Sequence, residues 1–341
     1  MKTGNIGEFG LIDRLAGTLG AAGDRVLRGI GDDAAVLEGR ADRLLLATCD
    51  IQIQGVHFVS GAIEPVQIGS RVAAVNLSDI AAMGGSPLWA LVSLTVPPST
   101  EVEYLEEIYR GMAGELSRSG ARIVGGNTSS TSGPLTIDMT LVGEVERENL
   151  LTRDGARVGD ALCVTGDLGS SAAGLFLNQN KSAACDAAVR ESLVHRHLIP
   201  SPRIEQGRML GATDAVTACI DLSDGLFQDA GHIAQRSGVG VCIHAEEIPV
   251  SADVRTVATS LRMDWMDLAL GGGEDYELLF TADPVECDGI LARVKEETGV
   301  SARKIGEIVD GAPGVIVIRD GKRIDPAVAG FDHFESGGSG C

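Results

Sequence analysis

Apolar residues follow two alternating patterns along the chain. Short apolar runs bounded by glycine and polar residues are typical of buried strands, and longer stretches with apolar positions three or four residues apart are typical of helices. The predicted strands cover residues 43–50, 88–97, 121–126, 135–145, 161–166, 215–224, 239–245, 276–282 and 314–321. The predicted helices cover residues 64–84, 99–120, 168–179, 201–212, 224–238 and 283–299. This mixture predicts an α/β protein of the α+β type.

The length and the apolar content predict two domains. A chain of 341 residues that is 44% hydrophobic can bury a large core, and domains usually contain about 100–200 residues. The polar, turn-rich segment "ERENLLTRDGARVGD" at residues 146–160 is the best candidate boundary. We therefore predict an N-terminal domain over residues 1–148, a C-terminal domain over residues 149–334 and a flexible Gly/Ser-rich tail over residues 335–341.

Composition limits the partners, the cell compartment and the cysteine chemistry that we expect for the protein. A net charge of −20 disfavours a nucleic-acid partner, because a phosphate backbone requires a basic face. The sequence has no apolar stretch long enough to cross a membrane and no signal-peptide core at its start, so we expect a cytoplasmic protein. The seven cysteines form no CxxC pair, and we expect buried reduced thiols rather than disulfides or a zinc site. They are Cys49, Cys163, Cys185, Cys219, Cys242, Cys287 and Cys341.

Acidic residues collect where strands and loops lead into glycine-rich turns and helix starts. Each one alone could simply cap a helix. Clustered carboxylates repel one another unless cations bridge them, and oxygen ligands without His or Cys favour Mg²⁺ held together with phosphates. This chemistry suggests phosphoryl transfer from a nucleotide. The residues are Asp32, Asp33, Asp50, Asp79, Asp221, Asp224, Glu274 and Asp275.

Two further features point to phosphate binding. The sequence Leu-Ser-Asp occurs at residues 77–79 and again at residues 222–224, and we expect each copy to follow a strand and to point its hydroxyl and carboxylate out of a helix N-terminus. A predicted turn, "GGNTSS" at residues 125–130, could donate backbone N–H groups to phosphate. The P-loop, GxGxxG and protein-kinase motifs do not occur in the sequence, so a nucleotide would bind to a different fold.

The order of motifs resembles that of the thiamine-monophosphate kinase family. The segments are "GEFGLIDRL", "GIGDDAAVL", "TCDIQIQGVHF", "AVNLSDIAAMGGSPLWALVSLTVP", "GGNTS", "LTRDGARVGD", "VTGDLGSSAAGL", "RHLIPSPRIEQG", "IDLSDGLFQDAGHI", "GGGEDYELLF" and "GFDHF". The resemblance runs from about residue 7 to residue 334. It implies the two-domain fold of aminoimidazole-ribonucleotide synthetase, with a C-terminal mixed sheet flanked by helices and a homodimer paired through the N-terminal domains. It also implies phosphorylation of thiamine monophosphate by ATP, with an N-terminal Mg-ATP-binding domain and a C-terminal domain that completes the site.

The resemblance also implies roles for individual residues. The implied magnesium ligands are Asp33, Thr48, Cys49, Asp50, Asp79, Asn127, Asp221 and Asp224. The implied ATP contacts are Gly126, Asn127, Arg153 and Ser223, and the implied substrate contacts are His57, Glu274 and Phe331. Alternative interpretations are a core histidine for His57 and plain packing for Phe331. No covalent nucleophile is expected, because the phosphate of the substrate is already ionised and can attack ATP directly.

Three positions depart from the pattern of the family. Asn127 stands where the family has Asp, Gln54 stands where it has Glu, and Cys49 stands where it has Ser or Thr. An amide oxygen still coordinates Mg²⁺ but carries less charge, so we expect weaker metal binding. Two alternatives stay open: a related ATP-dependent enzyme acting on another phosphate or carboxyl compound, and a homologue that binds these ligands without turnover.

Overall fold

The first half of the chain forms a six-stranded sheet. The structure is a computed structural model, and it describes residues 26–28, 32–39, 42–59 and 61–324. The strands are β1 Val26–Arg28, β2 Ala35–Glu38, β3 Arg43–Ile53, β4 Ser86–Val96, β5 Arg122–Ser130 and β6 Thr136–Glu146. Their order in the sheet is β1-β2-β3-β6-β4-β5. Neighbouring strands are antiparallel except β4 and β5, which are parallel.

The described residues of this half contain two helices, α1 Pro65–Ala82 and α2 Val102–Arg118. Pro65 suits the first turn of α1 because that position needs no N–H donor, and the side chain of Gln67 accepts the backbone N–H of Glu64 at 3.1 Å. Most residues of α1 are buried. This burial makes α1 a central core element that also packs against strands and helices of the second half.

The second half of the chain forms a seven-stranded sheet. Its strands are β7 Ala161–Thr165, β8 Val216–Asp221, β9 Gly240–His244, β10 Leu278–Ala282, β11 Ala302–Val309, β12 Gly314–Arg319 and β13 Lys322–Ile324. The order is β13-β12-β9-β11-β7-β10-β8, and within this sheet the described strands pair antiparallel except β9 and β12, which are parallel. The helices are α3 Ser170–Gln179, α4 Ala187–Leu198, α5 Ile204–Gly211, α6 Leu226–Ser237, α7 Ala252–Leu261, α8 Trp265–Gly271 and α9 Cys287–Thr298. Short 3₁₀ helices cover Arg147–Asn149 and Ala245–Glu247.

One hydrophobic core joins the two halves. It contains Leu44 and Leu46 of the first sheet, much of α1, and Cys163 and Phe280 of the second sheet. A second core fills the opposite face of the second sheet, under α6. The junction of the halves is therefore packed, and side chains from both can meet there.

The structure confirms the predicted mixed fold class and bears out each predicted strand and helix, with shifts at the ends. It adds elements that the pattern did not predict, namely β1, β2, α4, α7, α8, β11 and β13. The sheets divide the chain between Glu146 and Ala161, and the domain boundary at residues 148/149 stays a prediction. In the part of the chain that the structure describes, no helix is long and apolar enough to cross a membrane.

Three expectations from the sequence were wrong. Residues 125–130 form the second half of β5 rather than a turn, because they pair in parallel with β4. The first Leu-Ser-Asp copy lies near the C-terminus of α1 rather than at a helix start. The six described cysteines are free as expected, but only Cys163, Cys219 and Cys287 are buried; Cys49 is exposed, and Cys185 and Cys242 are half-buried.

Candidate active site

Three carboxylates from distant parts of the sequence meet at the junction of the two halves. Asp33 precedes β2, Asp79 lies in the last turns of α1, and Asp221 ends β8. One carboxylate oxygen of each lies within 4.8 Å of those of the other two. Such a group of oxygen atoms is suited to a hard cation such as Mg²⁺. All three were predicted metal ligands, and the structure brings them together.

The first Leu-Ser-Asp copy contacts Asp221, the residue just before the second copy. The hydroxyl of Ser78 donates to the carboxylate of Asp221 at 2.6 Å, and the hydroxyl of Thr48 on β3 donates to that of Asp79. Burial, followed by the nearby charges of Asp50, Asp221 and Asp33, raises the pKa of Asp79. Burial, and then the charge of Asp33, raises the pKa of Asp221 in the same way. A bound cation would relieve the charge repulsion that adds to burial in both shifts.

Arg153 is the positive charge beside this cluster. Its guanidinium donates two hydrogen bonds to Asp33, from Nε at 3.0 Å and from Nη2 at 2.6 Å. Its backbone N–H donates to Asp32 at 3.3 Å. Burial, with the adjacent charge of Asp33, raises the pKa of Asp32 to about 6. Arg153 thus fixes the orientation of the Asp33 carboxylate through two hydrogen bonds.

A second group of ligands lies at the start of α6. Asp224, Asp229 and His232 have side-chain ligand atoms within 4.8 Å of one another. The carboxylate of Asp229 accepts the backbone N–H groups of Asp224 at 3.2 Å and Gly225 at 3.0 Å. Burial, followed by the charge of Asp224, raises the pKa of Asp229. Burial and the charge of Arg153 lower the pKa of His232 to about 4.

The remaining predicted metal positions lie on the first sheet. Asp50 is on β3, close enough to Asp79 for their charges to interact. Cys49 precedes it and is exposed, because successive side chains of a strand point to opposite faces. Asn127 lies on the exposed edge strand β5, where its Oδ1 accepts the N–H of Thr128 at 3.0 Å. The preceding Gly126 is sterically required, since a Cβ there would stand 2.0 Å from the carbonyl oxygen of Val92.

A cavity of about 380 Å³ lies between the N-terminal helix α1 and helices α3 and α4. Six of its eleven lining residues are apolar, and the polar ones include His57, Arg71 and His197. His57 lies in the turn after β3, where its Nδ1 accepts the backbone N–H of Ile53 at 3.0 Å. Apolar surface combined with several polar groups is suited to an organic ligand that carries polar atoms.

Glu274 connects the wall of this cavity to the loop that holds Ser223. Its carboxylate forms an ion pair with the buried guanidinium of Arg71 and lies 3.4 Å from Nδ1 of His197. Its backbone N–H donates to the carbonyl of Ser223 at 2.7 Å. Glu274 has a φ of 67° and Tyr276 a φ of 49°. Strained backbone of this kind in a non-glycine residue is concentrated at ligand sites.

Comparison with known proteins identifies the family. The models for AIR synthase related proteins match residues 31–145 with the N-terminal domain and residues 157–319 with the C-terminal domain. The thiamine-monophosphate kinase of Escherichia coli (strain K12) is 39% identical over 329 residues, which span 96% of this chain and 98% of that protein. The chain belongs to the thiamine-monophosphate kinase family. The family member from Aquifex aeolicus (strain VF5) is 38% identical over 334 residues, spanning 98% of this chain and 100% of that protein.

A solved structure supports the same assignment to the thiamine-monophosphate kinase family. It is described as AaThiL complexed with AMPPCP and TMP. It matches the chain with a TM-score of 0.83 at 37% identity, covering 98% of this chain and 99% of that one. The family and the two-domain fold implied by the motifs are thereby confirmed. Phe331, the third predicted substrate residue, lies outside the described residues.

Several residues of the site were not predicted from the sequence. Arg71 and His197 are polar residues of the cavity wall. Asp229 and His232 belong to the group of candidate metal ligands around Asp224. A signal for Arg71 existed, since it is the single charged residue between Glu64 and Asp79. Asp229 and His232 are three residues apart on α6, the spacing that puts side chains on one helix face. The sequence gives no signal for His197, because its position at the cavity wall depends on how α4 packs.

Proposed function

We propose that the protein transfers the γ-phosphoryl group of ATP to thiamine monophosphate and yields thiamine diphosphate and ADP. The observation that carries this proposal is the convergence of Asp33, Asp79 and Asp221, together with a cavity walled in part by the same helix α1 that carries Asp79. Membership of the thiamine-monophosphate kinase family supplies the substrate class, and the relative described with AMPPCP and TMP supports both ligands.

Mg²⁺ fits the donor set of the acidic cluster. Its three carboxylates offer oxygen donors within 4.8 Å of one another. Burial and neighbouring negative charge raise the pKa values of Asp79 and Asp221, and a cation would offset that negative charge. Bound Mg²⁺ would neutralise charge on the transferring phosphoryl group. We propose further Mg²⁺ ligands on the basis of the family motifs alone. They are Thr48, Cys49, Asp50, Asn127 and Asp224.

The transfer needs no residue that forms a covalent bond. An oxygen of the substrate phosphate attacks the γ-phosphorus, and the bond from that phosphorus to the bridging β-γ oxygen breaks, so ADP leaves with the electron pair. The protein orients the two anions. We propose that Gly126, Asn127, Arg153 and Ser223 contact ATP, with Arg153 already held by Asp33.

The cavity is the proposed site of the thiamine moiety. We propose that His57, Glu274 and Phe331 contact it. Arg71 keeps the carboxylate of Glu274 in place through a buried ion pair, so the orientation of Glu274 is set before the ligand binds. His57 lines the cavity directly.

We also propose that the protein is a homodimer paired through its first sheet. Large apolar side chains are exposed on three strands of that sheet, namely Ile51 on β3, Trp89 and Leu91 on β4 and Val124 on β5. An apolar sheet face of this kind is suited to pairing with a second copy.

A turnover assay tests the proposed function. The protein is incubated with ATP, Mg²⁺ and thiamine monophosphate, and thiamine diphosphate is measured by chromatography. We expect turnover that Asp221→Asn reduces by about a hundredfold or more, because one charge of the metal site is lost. The control Glu115→Gln removes a buried carboxylate of α2 and should retain activity. ATP consumption only with other acceptors would favour the alternative enzyme, and binding without turnover would favour a non-catalytic homologue.

A further inference from the structure

Strands β9 and β11 are neighbours in the middle of the second sheet and bury one face in its second core. Val241 and Ile243 of β9 enter that core, as does Ile308 of β11. Because strand side chains alternate, Cys242 and His244 point to the other face of β9. Both are half-buried there, and a solute can therefore reach them.

A β-bulge sets the direction of the next side chain, Glu307. The register of β11 against β7 shifts just before Gly306, and such shifts redirect side chains. Gly306 is required at this point, because a Cβ would stand 2.0 Å from the carbonyl oxygen of Cys242. As a result Glu307 stands directly opposite Cys242 in the ladder between β9 and β11. The bulge thus brings a carboxylate to the same face as the thiol and the imidazole.

We propose that Cys242, His244 and Glu307 form a binding site for Zn²⁺ or a similar divalent transition metal, with water as the fourth ligand. One ligand atom of each lies within 4.8 Å of those of the other two. Nε2 of His244 is 3.8 Å from Oε1 of Glu307. Ligand atoms of a tetrahedral zinc site bind at about 2.0–2.3 Å from the metal, which puts them roughly 3.5 Å apart, so small side-chain rotations close the site.

The chemistry of these donors separates this site from the acidic cluster. Sulfur and imidazole nitrogen favour Zn²⁺ and Co²⁺, whereas sites made of oxygen alone favour Mg²⁺. The local charge also favours a cation, because Glu246 lies close enough to His244 for their charges to interact. The nearby Arg303 is paired with Glu247 at 2.6 Å, which offsets its repulsion of a metal ion.

Cobalt spectroscopy of the full chain tests this proposal. Co²⁺ is titrated into the protein in the presence of excess Mg²⁺, which occupies carboxylate sites but leaves thiolates free. We expect a thiolate-to-cobalt charge-transfer band that Zn²⁺ removes by competition. Cys242→Ser should abolish the band, and His244→Ala and Glu307→Gln should each weaken Co²⁺ binding at least about tenfold. The matched control Cys185→Ser, another half-buried thiol, should leave the band unchanged.

Each other outcome would overturn the proposal. These outcomes are the absence of a band in the wild-type protein, a band that survives Cys242→Ser, and a band that is lost only in Cys49→Ser. The last would locate the cobalt beside Asp50 on the first sheet. Circular dichroism of each variant checks its folding. If Cys242→Ser fails to fold, the weaker Co²⁺ binding expected for Glu307→Gln, a conservative change at an exposed position, still tests the proposal. The result is independent of kinase activity, so the two proposals can fail separately.

Discussion

The substitution Asp79→Asn should stabilise the Mg²⁺-free protein and should remove most of the stabilisation that Mg²⁺ gives. Asp79 shares the acidic cluster with Asp33 and Asp221, with carboxylate oxygens within 4.8 Å. At that separation and an effective dielectric constant of about 20, each ionised pair costs about 3.5 kcal/mol. Protonation and the charge of Arg153 relieve part of this cost. We therefore expect the substitution to stabilise the Mg²⁺-free protein by about 1 to 3 kcal/mol at pH 8.

Magnesium should shift this difference in favour of the wild-type protein. A ligand at a hundredfold excess over its dissociation constant stabilises a protein by about 2.7 kcal/mol. The wild-type protein should gain this increment from Mg²⁺, and the Asp79→Asn variant should lose most of it. The hydroxyl of Thr48 can still donate to the amide oxygen of the new side chain, so the local structure is expected to survive. The change isolates the charge from the shape of the side chain.

Urea unfolding measures both effects, with EDTA in one series and Mg²⁺ in the other. The control is Glu115→Gln, which removes a carboxylate whose pKa burial also raises but which lies on α2 beside Arg118. This control should leave the Mg²⁺ increment unchanged. The reasoning is refuted if Asp79→Asn destabilises the Mg²⁺-free protein or retains the full increment from Mg²⁺.

Three further predictions concern metal affinity, substrate choice and pH. Asn127→Asp should lower the Mg²⁺ concentration for half-maximal activity about fivefold, since a nearby charge adds roughly 1 kcal/mol in a hydrated site; an unchanged requirement would exclude Asn127 as a weak ligand. His57→Ala and Glu274→Gln should weaken thiamine monophosphate about tenfold or more and spare ATP, and calorimetry showing equal losses would contradict their roles. Burial and the charge of Arg71 lower the pKa of His197 from 6.5 to about 4, so the unfolded chain binds the proton first. Wild-type stability should then fall by up to about 3 kcal/mol more than that of His197→Gln between pH 6.5 and pH 4; parallel pH profiles would contradict this.

The sequence predicted most of the fold because its elements have strong local patterns. Strands β3 and β6 and helices α1 and α2 are long and periodic, and their apolar positions carry the core. The short strands β1 and β13 contain three residues each, too few for a pattern to stand out. Strand β11 was missed because its bulge interrupts the alternation of apolar residues.

The sequence predicted part of the site, because several of its residues stand in local motifs. Asp33, Asp79 and Asp221 stand in recognisable motifs, but their meeting depends on how α1 packs against β8. The first Leu-Ser-Asp copy was assigned to a helix start because its residues are common capping residues, although the apolar period of α1 continues through it to Ala82. Arg71 and Glu274 are 203 positions apart in the chain, and their ion pair follows only from tertiary structure.

The fate of the γ-phosphoryl group of ATP tests the central claim most directly. ATP with an isotopic label in that group is incubated with the protein, Mg²⁺ and thiamine monophosphate, and the products are separated. We predict that the terminal phosphate of thiamine diphosphate carries the label, with one label transferred for each ADP formed. Release of the label as inorganic phosphate, with unlabelled thiamine monophosphate recovered, would contradict the account.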